Sequence, residues 1–545
     1  MNTLDLEQNF FDRRSIMDLL KRRVIDLKEG YRQNLAFLGP KHIGKTSILR
    51  RFASDLEDEM IIEIYLDLEN RDFHYFVSKF IGGILYNFAR VKKLDLEDDI
   101  NLLMEATKRY IPQTVEEIKK IRNSIAKGKL TEAYKDLISL PEIFTLESGR
   151  FCMIVLDEFH NLEDLSVPNA FQELGKKIMT QRRCIYIVTS SLGAVAKTIL
   201  SEKLSLLFGN FEIIQIQPFD LKTSQAFIEY SLGEVKISSS LRNFLIDFTG
   251  GHPFYLNIIC QEIIDLCAVH RQYEVFLPLL SQALENTIFN RWGILSRHFE
   301  LMLDHLGSGK GNKQILYILI ALANGKHKIK DIIDDIKLKQ NIVTSKLNRL
   351  LELSVVVKNG NFYHYQDKLL KYWIKYVFQR KLQVIDCRAE YQQKHFKAEI
   401  GRIVNNFLAV SQRDLSSRIV ELLHCFDNES FDLNGRRYKL PSFGEVTSVE
   451  FENTPEHSFK VLKADSSEGS WFIIIKEDCL LEGEVNAFLT ESKKIDHKPQ
   501  RRIVIALSDL DANIKLKALQ EKMWVWNENE LNTLLSFYDK PYILK

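Results

Sequence analysis

The segment at residues 35–47, LAFLGPKHIGKTS, constrains the fold of this chain more than any other part of the sequence. Its apolar first residues predict a buried strand that ends before Gly39. Gly44-Lys45-Thr46 follows five positions after Gly39, so the segment fits the pattern G-x-x-x-x-G-K-[ST] of a phosphate-binding P-loop. The helix predicted for residues 46–56 would place its positive N-terminal end under the phosphates.

The chemistry of a P-loop gives each part of this segment a role. Glycine lets the loop curl until its backbone N–H groups surround phosphate oxygens. Lys45 is predicted to reach the β- and γ-phosphates, and the Thr46 hydroxyl to bind Mg²⁺. A chance match in a turn is the alternative, and the flanking strand and helix argue against it. The predicted nucleotide-binding residues of the loop are Gly39, Pro40, Lys41, His42, Ile43, Gly44, Lys45, Thr46 and Ser47.

A second motif, FCMIVLDE, occupies residues 151–158. Its unbroken apolar run is typical of a parallel strand buried on both faces. Asp157 and Glu158 follow at the carboxyl end, where ligands bind in open α/β sheets. We expect Asp157 to hold Mg²⁺, directly or through water, and Glu158 to polarise the attacking water. An acidic helix cap is the alternative, and the P-loop upstream makes it weak.

The strand predicted for residues 184–189 adds three candidate catalytic residues. Ser190 follows its end and would either touch the γ-phosphate or cap the next helix, and both interpretations stay open. Arg182 and Arg183 precede it, and either would serve a neighbouring subunit's nucleotide as an arginine finger. The alternative for both arginines is a solvated start of the strand. The predicted catalytic set is therefore Lys45, Glu158, Arg182, Arg183 and Ser190.

Composition limits the remaining function classes. A net charge of +1 over 545 residues makes no argument for nucleic acid or membrane binding by the whole molecule, and the length predicts several domains. The seven cysteines form no C-x-x-C pair, which favours free thiols in a reducing cytosol over a metal site. The first residues lack an apolar signal region, and the apolar runs are too short to span a bilayer. We expect a cytoplasmic protein without membrane contact.

Elements along the chain predict four parts. Residues 1–221 form an α/β P-loop core with a helical hairpin inserted at about 96–140, and residues 222–305 form a helical lid. Within the lid, Pro253 begins a helix after a glycine turn, and it would approach the adenine. Residues 306–380 read as three helices and a hairpin with Asn359-Gly360 at its turn, a winged helix. Residues 381–545 read as a helical linker and a smaller α/β domain.

The winged-helix segment is basic. Residues 311–380 contain 13 Lys and Arg against 5 Asp and Glu, which suits phosphate contact and predicts double-stranded DNA as a partner. The cations on or beside the third helix are Lys337, Lys339, Lys346 and Arg349. The alternative is a winged helix that serves only as a packing module.

These motifs together resemble the archaeal-type P-loop ATPases, relatives of the signal-transducing (STAND) and origin-recognition branches of AAA+ proteins. The resemblance implies ATP and Mg²⁺ as cofactors and a C-terminal domain with a restriction-endonuclease-like fold. One departure is Ile16, where the family usually has glutamate. The residues that carry the resemblance are Phe10 to Arg13, Gly39 to Thr46, Asp157-Glu158, Thr189-Ser190-Ser191, Gln217-Pro218-Phe219, Gly250 to Pro253, Tyr365-Gln366-Asp367 and Tyr372-Trp373-Ile374.

The C-terminal domain departs from an active nuclease. Such a site needs an Asp on one strand and Glu-x-Lys on the next, to hold Mg²⁺ beside the scissile phosphate. Lys476 fits, but Ile474 stands where the carboxylate belongs. We place Asp465 in the turn after the preceding strand, and Glu450 or Glu477 would have to substitute for the missing ligand. Nuclease activity is therefore not expected.

The sequence thus predicts a Mg²⁺-dependent ATPase that drives conformational change or assembly, with DNA contact through the winged helix. The alternative is a nucleotide-gated sensor or scaffold with little turnover and a protein partner or a homo-oligomeric state. A DNA nuclease is the third and weakest interpretation.

Overall fold

The computed structural model describes residues 10–69, 72–96, 98–204, 211–307, 313–383, 389–433, 435–450, 459–478, 480–495, 499–508 and 510–544. Cys387 and Cys479 lie outside this range, and the five described cysteines are free thiols, as predicted. The described part contains no helix that is both long and apolar enough to cross a membrane. The chain divides into two compact units, residues 1–219 with 352–354 and residues 220–351 with 355–545.

The first unit is built on a five-stranded parallel sheet with strand order β2-β3-β4-β1-β5. Strands β1, β3 and β4 are almost entirely buried, which explains their unbroken apolar runs. The strands are β1 (Asn34–Leu38), β2 (Ile61–Asp67), β3 (Phe151–Asp157), β4 (Cys184–Ser190) and β5 (Phe211–Gln215). The α/β class and the parallel sheet agree with the sequence prediction.

Helices cover both faces of this sheet. On one face α1 and α2 bury Leu20 and Phe52 against β1, and on the other the remaining helices build a larger core around residues such as Phe80 and Phe144. The helices are α1 (Arg14–Lys28), α2 (Lys45–Asp55), α3 (Phe73–Val91), α4 (Ile100–Thr107), α5 (Pro112–Ala126), α6 (Leu130–Ser148), α7 (Ala170–Thr180) and α8 (Gly193–Thr198), with a 3₁₀ turn at Phe159–Leu165 and a π turn at Ile199–Lys203.

The predicted helical hairpin at 96–140 is helical but differs in extent. Three helices, α4 to α6, fill this part of the chain, and the last continues to Ser148. Pro141 lies inside α6 without ending it, and Gly149 in the left-handed conformation terminates the helix. The insertion therefore runs directly into β3.

The second unit begins with helices in the region predicted as a lid. Asp220 caps the first helix through a hydrogen bond from Thr223 N of 2.7 Å. Pro253 stands at the first position of α11, as the sequence predicted. The helices are α9 (Leu221–Leu232), α10 (Ser239–Thr249), α11 (Pro253–His270), α12 (Leu277–Leu284) and α13 (Ile294–Gly307), with a π turn at Glu285–Phe289 and short strands β6 (Lys236–Ile237) and β7 (Glu274–Val275).

Three helices and an antiparallel hairpin follow, in the order expected for residues 306–380. Asn359 and Gly360 form the hairpin turn, and Gly360 has the positive φ of 58° that this turn requires. The elements are α14 (Lys313–Ala323), α15 (Ile329–Ile336), α16 (Gln340–Glu352), β8 (Val356–Asn359) and β9 (Phe362–Tyr365), then α17 (Lys368–Trp373), a π turn at Ile374–Phe378, α18 (Gln379–Gln383), α19 (Ala389–Ser411) and α20 (Leu415–Leu423).

A two-stranded sheet and a five-stranded mixed sheet complete this unit. In the larger sheet β12, β13 and β14 pair antiparallel, whereas β14, β15 and β16 pair parallel. The elements are β10 (Glu429–Leu433), β11 (Arg436–Leu440), β12 (Phe443–Val449), β13 (Lys460–Ser466), β14 (Gly469–Lys476), α21 (Glu482–Ile495), β15 (Arg501–Ala506), α22 (Ala512–Gln520), β16 (Trp524–Trp526) and α23 (Glu528–Phe537).

Asp465 corrects one prediction in this sheet. It lies inside β13 and not in the turn after it, because β13 continues to Ser466 and pairs there with the start of β14. The Asp465 carboxylate accepts hydrogen bonds from Lys463 Nζ at 2.8 Å and Ser470 Oγ at 2.6 Å. Its charge is thus satisfied locally.

Candidate nucleotide-binding site

The predicted site residues of the first unit meet at the carboxyl edge of the parallel sheet. The P-loop connects β1 to α2, Asp157 ends β3, and Ser190 ends β4. Gly39 N donates to Ser190 O at 3.2 Å, so the loop begins directly beside the end of β4. Because the three strands are parallel neighbours, their ends bring the loop and both carboxylates together.

Glycine is required at two positions of the loop. A Cβ atom on Gly39 would lie 2.5 Å from the Ile216 carbonyl oxygen, so a side chain cannot fit there. Gly44 has a φ of 103°, which strains any other residue. The first turn of α2, which starts at Lys45, leaves backbone N–H groups without intrahelical acceptors. The loop can therefore surround an anion.

Lys45 is buried, with 4% of its surface exposed, and its ammonium lies inside the curl of the loop. Nζ donates to Gly39 O at 2.9 Å and Pro40 O at 3.0 Å, and lies 3.6 Å from Glu158 Oε1. Burial lowers the pKa of Lys45, and the charges of Glu158 and Asp157 oppose that shift. The cation is thus held in place for an anionic group, as the motif predicts.

Asp157 is the centre of a hydrogen-bond cluster. Thr46 Oγ1 donates to its Oδ2 at 2.7 Å, and the Tyr65 hydroxyl donates to the same oxygen at 2.5 Å. Thr189 Oγ1 donates to the other carboxylate oxygen. The two predicted Mg²⁺ ligands, Thr46 and Asp157, are therefore in contact, and a hydroxyl with a carboxylate is the hard oxygen donor set that Mg²⁺ prefers.

Glu158 has a left-handed backbone, with a φ of 53°, and a fixed side chain. Its Oε2 accepts hydrogen bonds from Ser191 N at 2.8 Å and Ser191 Oγ at 2.9 Å, and lies 3.4 Å from His160 Nδ1. Oε1 faces Lys45. The orientation of the predicted water-activating group is thus set by β4 and by the P-loop lysine.

Ser190 is buried, and its hydroxyl has local partners. Its Oγ lies 2.9 Å from His160 Nδ1 and accepts from Leu192 N at 3.0 Å. Helix α8 has Leu192 at its cap position and no side-chain cap, so the helix-cap interpretation of Ser190 is wrong. Within this segment the hydrogen bonds to the two carboxylates come from Thr189 and Ser191, on either side of Ser190.

Four partners of the carboxylates are not predicted by the sequence motifs: Tyr65, Thr189, Ser191 and His160. Tyr65 lies on β2, whose pairing with β3 puts Asp67 opposite Asp157. Burial, and then the neighbouring Asp157, raise the pKa of the Tyr65 phenol. The sequence does show a hydroxyl-bearing residue near the carboxyl end of each strand that flanks β3. These residues can be recognised as partners of Asp157 only once the strand order is known.

Arg182 and Arg183 do not reach this site within the chain. Both are exposed and precede β4, at the end of the strand opposite to the P-loop. Arg183 Nη1 donates to Thr145 O at 3.2 Å and its guanidinium lies 5.8 Å from the Phe151 ring. A role of either arginine on a neighbouring subunit stays a prediction. Pro253 belongs to the second unit, and its adenine contact also stays a prediction.

Two further segments that carry the family resemblance, residues 10–13 and 217–219, pack together. Arg13 Nη2 donates to Gln217 O at 2.7 Å, and its guanidinium lies 4.8 Å from the Phe219 ring. Phe11 contacts the same ring edge-on, with centroids 6.3 Å apart. The start of the described chain is thus attached to the segment that follows β5.

Comparison with known proteins agrees with this geometry. Residues 10–259 match the family described as an ATPase domain predominantly from Archaea. No curated protein matches the chain. The match agrees with the parallel sheet and the P-loop, so residues 10–259 are similar to an archaeal-type P-loop ATPase domain.

Three solved structures are among those to which the chain is similar. The Walker-type ATPase of Pyrococcus abyssi has 15% identity and a TM-score of 0.48, over 67% of this chain and 96% of that one. Cdc6p of Pyrobaculum aerophilum has 13% identity and a TM-score of 0.34, over 73% and 99% of the two chains. The ORC2 protein of Aeropyrum pernix has 11% identity and a TM-score of 0.43, over 74% and 98%.

Proposed function

We propose that this chain is a Mg²⁺-dependent ATPase that uses ATP binding and hydrolysis to change its conformation or its assembly state. The observation that carries the proposal is the convergence of four side chains at one edge of the sheet. Thr46 lies 2.7 Å from Asp157, and Lys45 lies 3.6 Å from Glu158. A phosphate-binding cation, a metal-binding pair and a carboxylate for water are the parts that phosphoryl transfer to water needs.

Each residue has a separate task. Lys45 and the backbone N–H groups of the P-loop hold the phosphates, while Thr46 and Asp157 hold the metal. When bound, Mg²⁺ neutralises charge on the phosphate oxygens. Glu158 would orient a water molecule and draw its proton, and the Tyr65 and Thr189 hydroxyls hold the Asp157 carboxylate in place. Most of the rate gain would come from positioning and charge stabilisation.

The position of Glu158 favours a second candidate, a nucleotide-gated sensor or scaffold with little turnover. One carboxylate oxygen accepts two hydrogen bonds from Ser191 and the other faces Lys45. A carboxylate with both oxygens engaged is a poor base for water. Under this alternative ATP binding fixes a conformation that a protein partner or a second copy of the chain recognises.

Two measurements on the full chain test the proposal. The first is calorimetric titration with ATP, with and without Mg²⁺, and the second is the steady-state rate of ATP hydrolysis. We expect Mg²⁺-dependent binding and measurable turnover. Ser191→Ala removes one of the two bonds that hold Glu158, and one hydrogen bond contributes about 1 kcal/mol, so turnover should rise by up to about fivefold. Absence of ATP binding would refute the proposal, and tight binding with no turnover in either protein would favour the sensor.

The remaining parts of the proposal concern residues beyond the P-loop core. We infer a winged helix at 306–380 that contacts double-stranded DNA and a restriction-endonuclease-like domain at 381–545 without nuclease activity. Asp465 pairs with Ser470, six positions from Lys476 on β14, which corresponds to about 20 Å along a strand. Lys476 Nζ is bound by both oxygens of Glu484, at 2.6 and 2.8 Å. These residues do not assemble a metal site for cleavage.

A further inference from the structure

The tip of the β8–β9 hairpin is covered by β10 of the same unit. The Asn359 side chain accepts from Asp432 N at 2.7 Å and donates to Asp432 O at 2.8 Å, so it pairs with the strand as a backbone amide would. A Cβ atom on Gly360 would lie 1.9 Å from the Ser430 carbonyl oxygen. The turn of the hairpin therefore packs directly on the chain and is not a free loop.

The body of the hairpin is docked in the same way. Phe362 belongs to the hydrophobic core of the C-terminal sheet, with its ring centroid 5.0 Å from that of Phe431. His364, on β9, lies 4.9 Å from the ring of Phe537 on α23. Phe362 is therefore part of a protein core and is not available to a partner.

Part of the positive charge of residues 311–380 is also used within the protein. Lys368 Nζ lies 2.7 Å from Asp247 Oδ1. Lys328 forms an ion pair with Glu429, and Lys371 with Asp539. All three carboxylates come from outside residues 311–380, so they reduce the positive surplus counted from the sequence. The charge that remains for a partner is smaller and more localised.

Four of the remaining cations lie on α16 or in the turn before it. Lys337, Lys339 and Arg349 are exposed and Lys346 is half-buried, and none forms an ion pair with a carboxylate in the described part of the chain. Helix α15, which precedes them, carries Asp331, Asp334 and Asp335 and offers no such surface. Positive charge is thus concentrated on the α16 side.

The solvent face of α16 presents amides and hydroxyls. Val343, Leu347 and Leu350 are buried, so the helix places its apolar side inward. A shallow depression on the outer side is lined by Gln340, Asn341, Thr344, Ser345 and Asn348. Asn and Gln pair with the major-groove edge of adenine, and Ser and Thr bond to several bases. A protein partner would need a buried apolar or aromatic anchor, which this face lacks.

We propose that α16 contacts double-stranded DNA through the major groove and that the β8–β9 hairpin takes no part in the contact. The inference rests on the DNA contact proposed above and names the surface that makes it. Lys337, Lys339, Lys346 and Arg349 bind phosphates on either side of the amide and hydroxyl face. The hairpin instead joins this segment to the C-terminal sheet.

The inference is tested by fluorescence anisotropy of a labelled duplex of about 30 base pairs. The full-length protein is titrated into the duplex at a series of salt concentrations. Lys346→Glu and Arg349→Glu should each weaken binding at least about fivefold, and each should reduce the salt slope by about one. Lys358→Glu on β8 is the matched control, because Lys358 is equally a surface cation but lies on the hairpin. Its affinity should stay within about twofold of wild type.

Three outcomes would overturn the inference. Equal losses for Lys358→Glu and Arg349→Glu would show that the hairpin binds DNA, and unchanged affinity in the α16 variants would assign the contact to another surface. Absence of duplex binding by the wild type would remove the DNA contact altogether. ATP turnover measured on the same preparations separates this failure from a failure of the ATPase proposal. Lys346→Arg, which keeps the charge, should retain wild-type affinity and controls for misfolding.

Discussion

Each of the two large sheets contains a buried apolar strand that leads to charged residues, but the side chains around the two strand ends differ. In the N-terminal sheet β3 leads to Asp157 and Glu158, and in the C-terminal sheet the apolar strand β14 leads to Lys476. The neighbours of β3 that contribute to the site all run parallel to it, so Thr189 and Tyr65 reach the same edge. Strand β13 runs antiparallel to β14, which places Asp465 at the opposite end from Lys476.

This difference explains why one strand end is a candidate site and the other a structural contact. Carboxylates that meet hydroxyls from neighbouring strands and a lysine from the P-loop can hold a metal and an anion. Lys476 instead binds both oxygens of Glu484 from the following helix and forms an ion pair with it. A buried apolar strand that ends in a charged residue is therefore insufficient evidence for a site. The direction of the neighbouring strands decides whether their side chains reach the same edge of the sheet.

The largest expected effect is the loss of nucleotide binding in Lys45→Ala. A charge-assisted hydrogen bond contributes about 1.5–3 kcal/mol, so calorimetry should show ATP affinity reduced at least about tenfold. Lys476→Ala is the matched change in the other sheet, and it should leave ATP affinity unchanged. Similar losses in both variants would remove the distinction between the two strand ends.

A smaller effect is expected from hydroxyls that bond to a carboxylate in each sheet. Thr189→Val removes the bond to Asp157 and the 3.1 Å bond from Glu158 N, so the Mg²⁺ concentration for half-maximal ATP binding should rise about fivefold to tenfold. Ser470→Ala removes the 2.6 Å bond to Asp465 and should lower thermal stability without changing the Mg²⁺ dependence. An unchanged Mg²⁺ dependence in Thr189→Val would contradict the assignment of Asp157.

The smallest effects are opposite pH dependences of stability in the two units. Burial raises the pKa of Glu63 on β2 from 4.5 to about 7, so the folded first unit holds that proton and loses this stability as pH rises from 4.5 to 7. Burial lowers the pKa of His364 on β9 from 6.5 to about 3, so the second unit loses stability as pH falls below 6.5.

Thermal denaturation across this pH range, with Glu63→Gln and His364→Gln, measures both contributions. Because the amide in Glu63→Gln stays neutral, the melting temperature of the wild type should fall relative to that of this variant as pH rises from 4.5 to 7. Because the amide in His364→Gln stays neutral, the melting temperature of the wild type should fall relative to that of this variant as pH drops below 6.5. Differences that stay constant with pH would show that these groups titrate as they do in the unfolded chain.

Sequence reasoning was strongest where a local pattern has a single structural solution. The P-loop, the apolar strand before Asp157 and the Asn359-Gly360 turn all lie where the sequence predicted. Contacts that depend on strand order were missed, because no local pattern tells that β2 and β4 flank β3. The roles of Tyr65, Thr189 and Ser191 follow from that order alone.

The C-terminal part was predicted less completely for a different reason. Strand β12, with the sequence FGEVTSV, is an edge strand that is mostly exposed and therefore lacks an apolar alternation. In β13 the polar residues Lys463 and Asp465 concealed the second half of the strand. The contacts of the β8–β9 hairpin with β10 come from residues more than seventy positions apart, which sequence periodicity cannot relate.

The most direct test of the central claim is steady-state ATP hydrolysis with Mg²⁺ by the wild type and by Glu158→Gln, together with their ATP affinities. If Glu158 activates the attacking water, Glu158→Gln should reduce turnover at least about hundredfold and still bind ATP. Turnover by Glu158→Gln equal to that of the wild type would contradict the account, because the carboxylate at the end of β3 would then have no catalytic role.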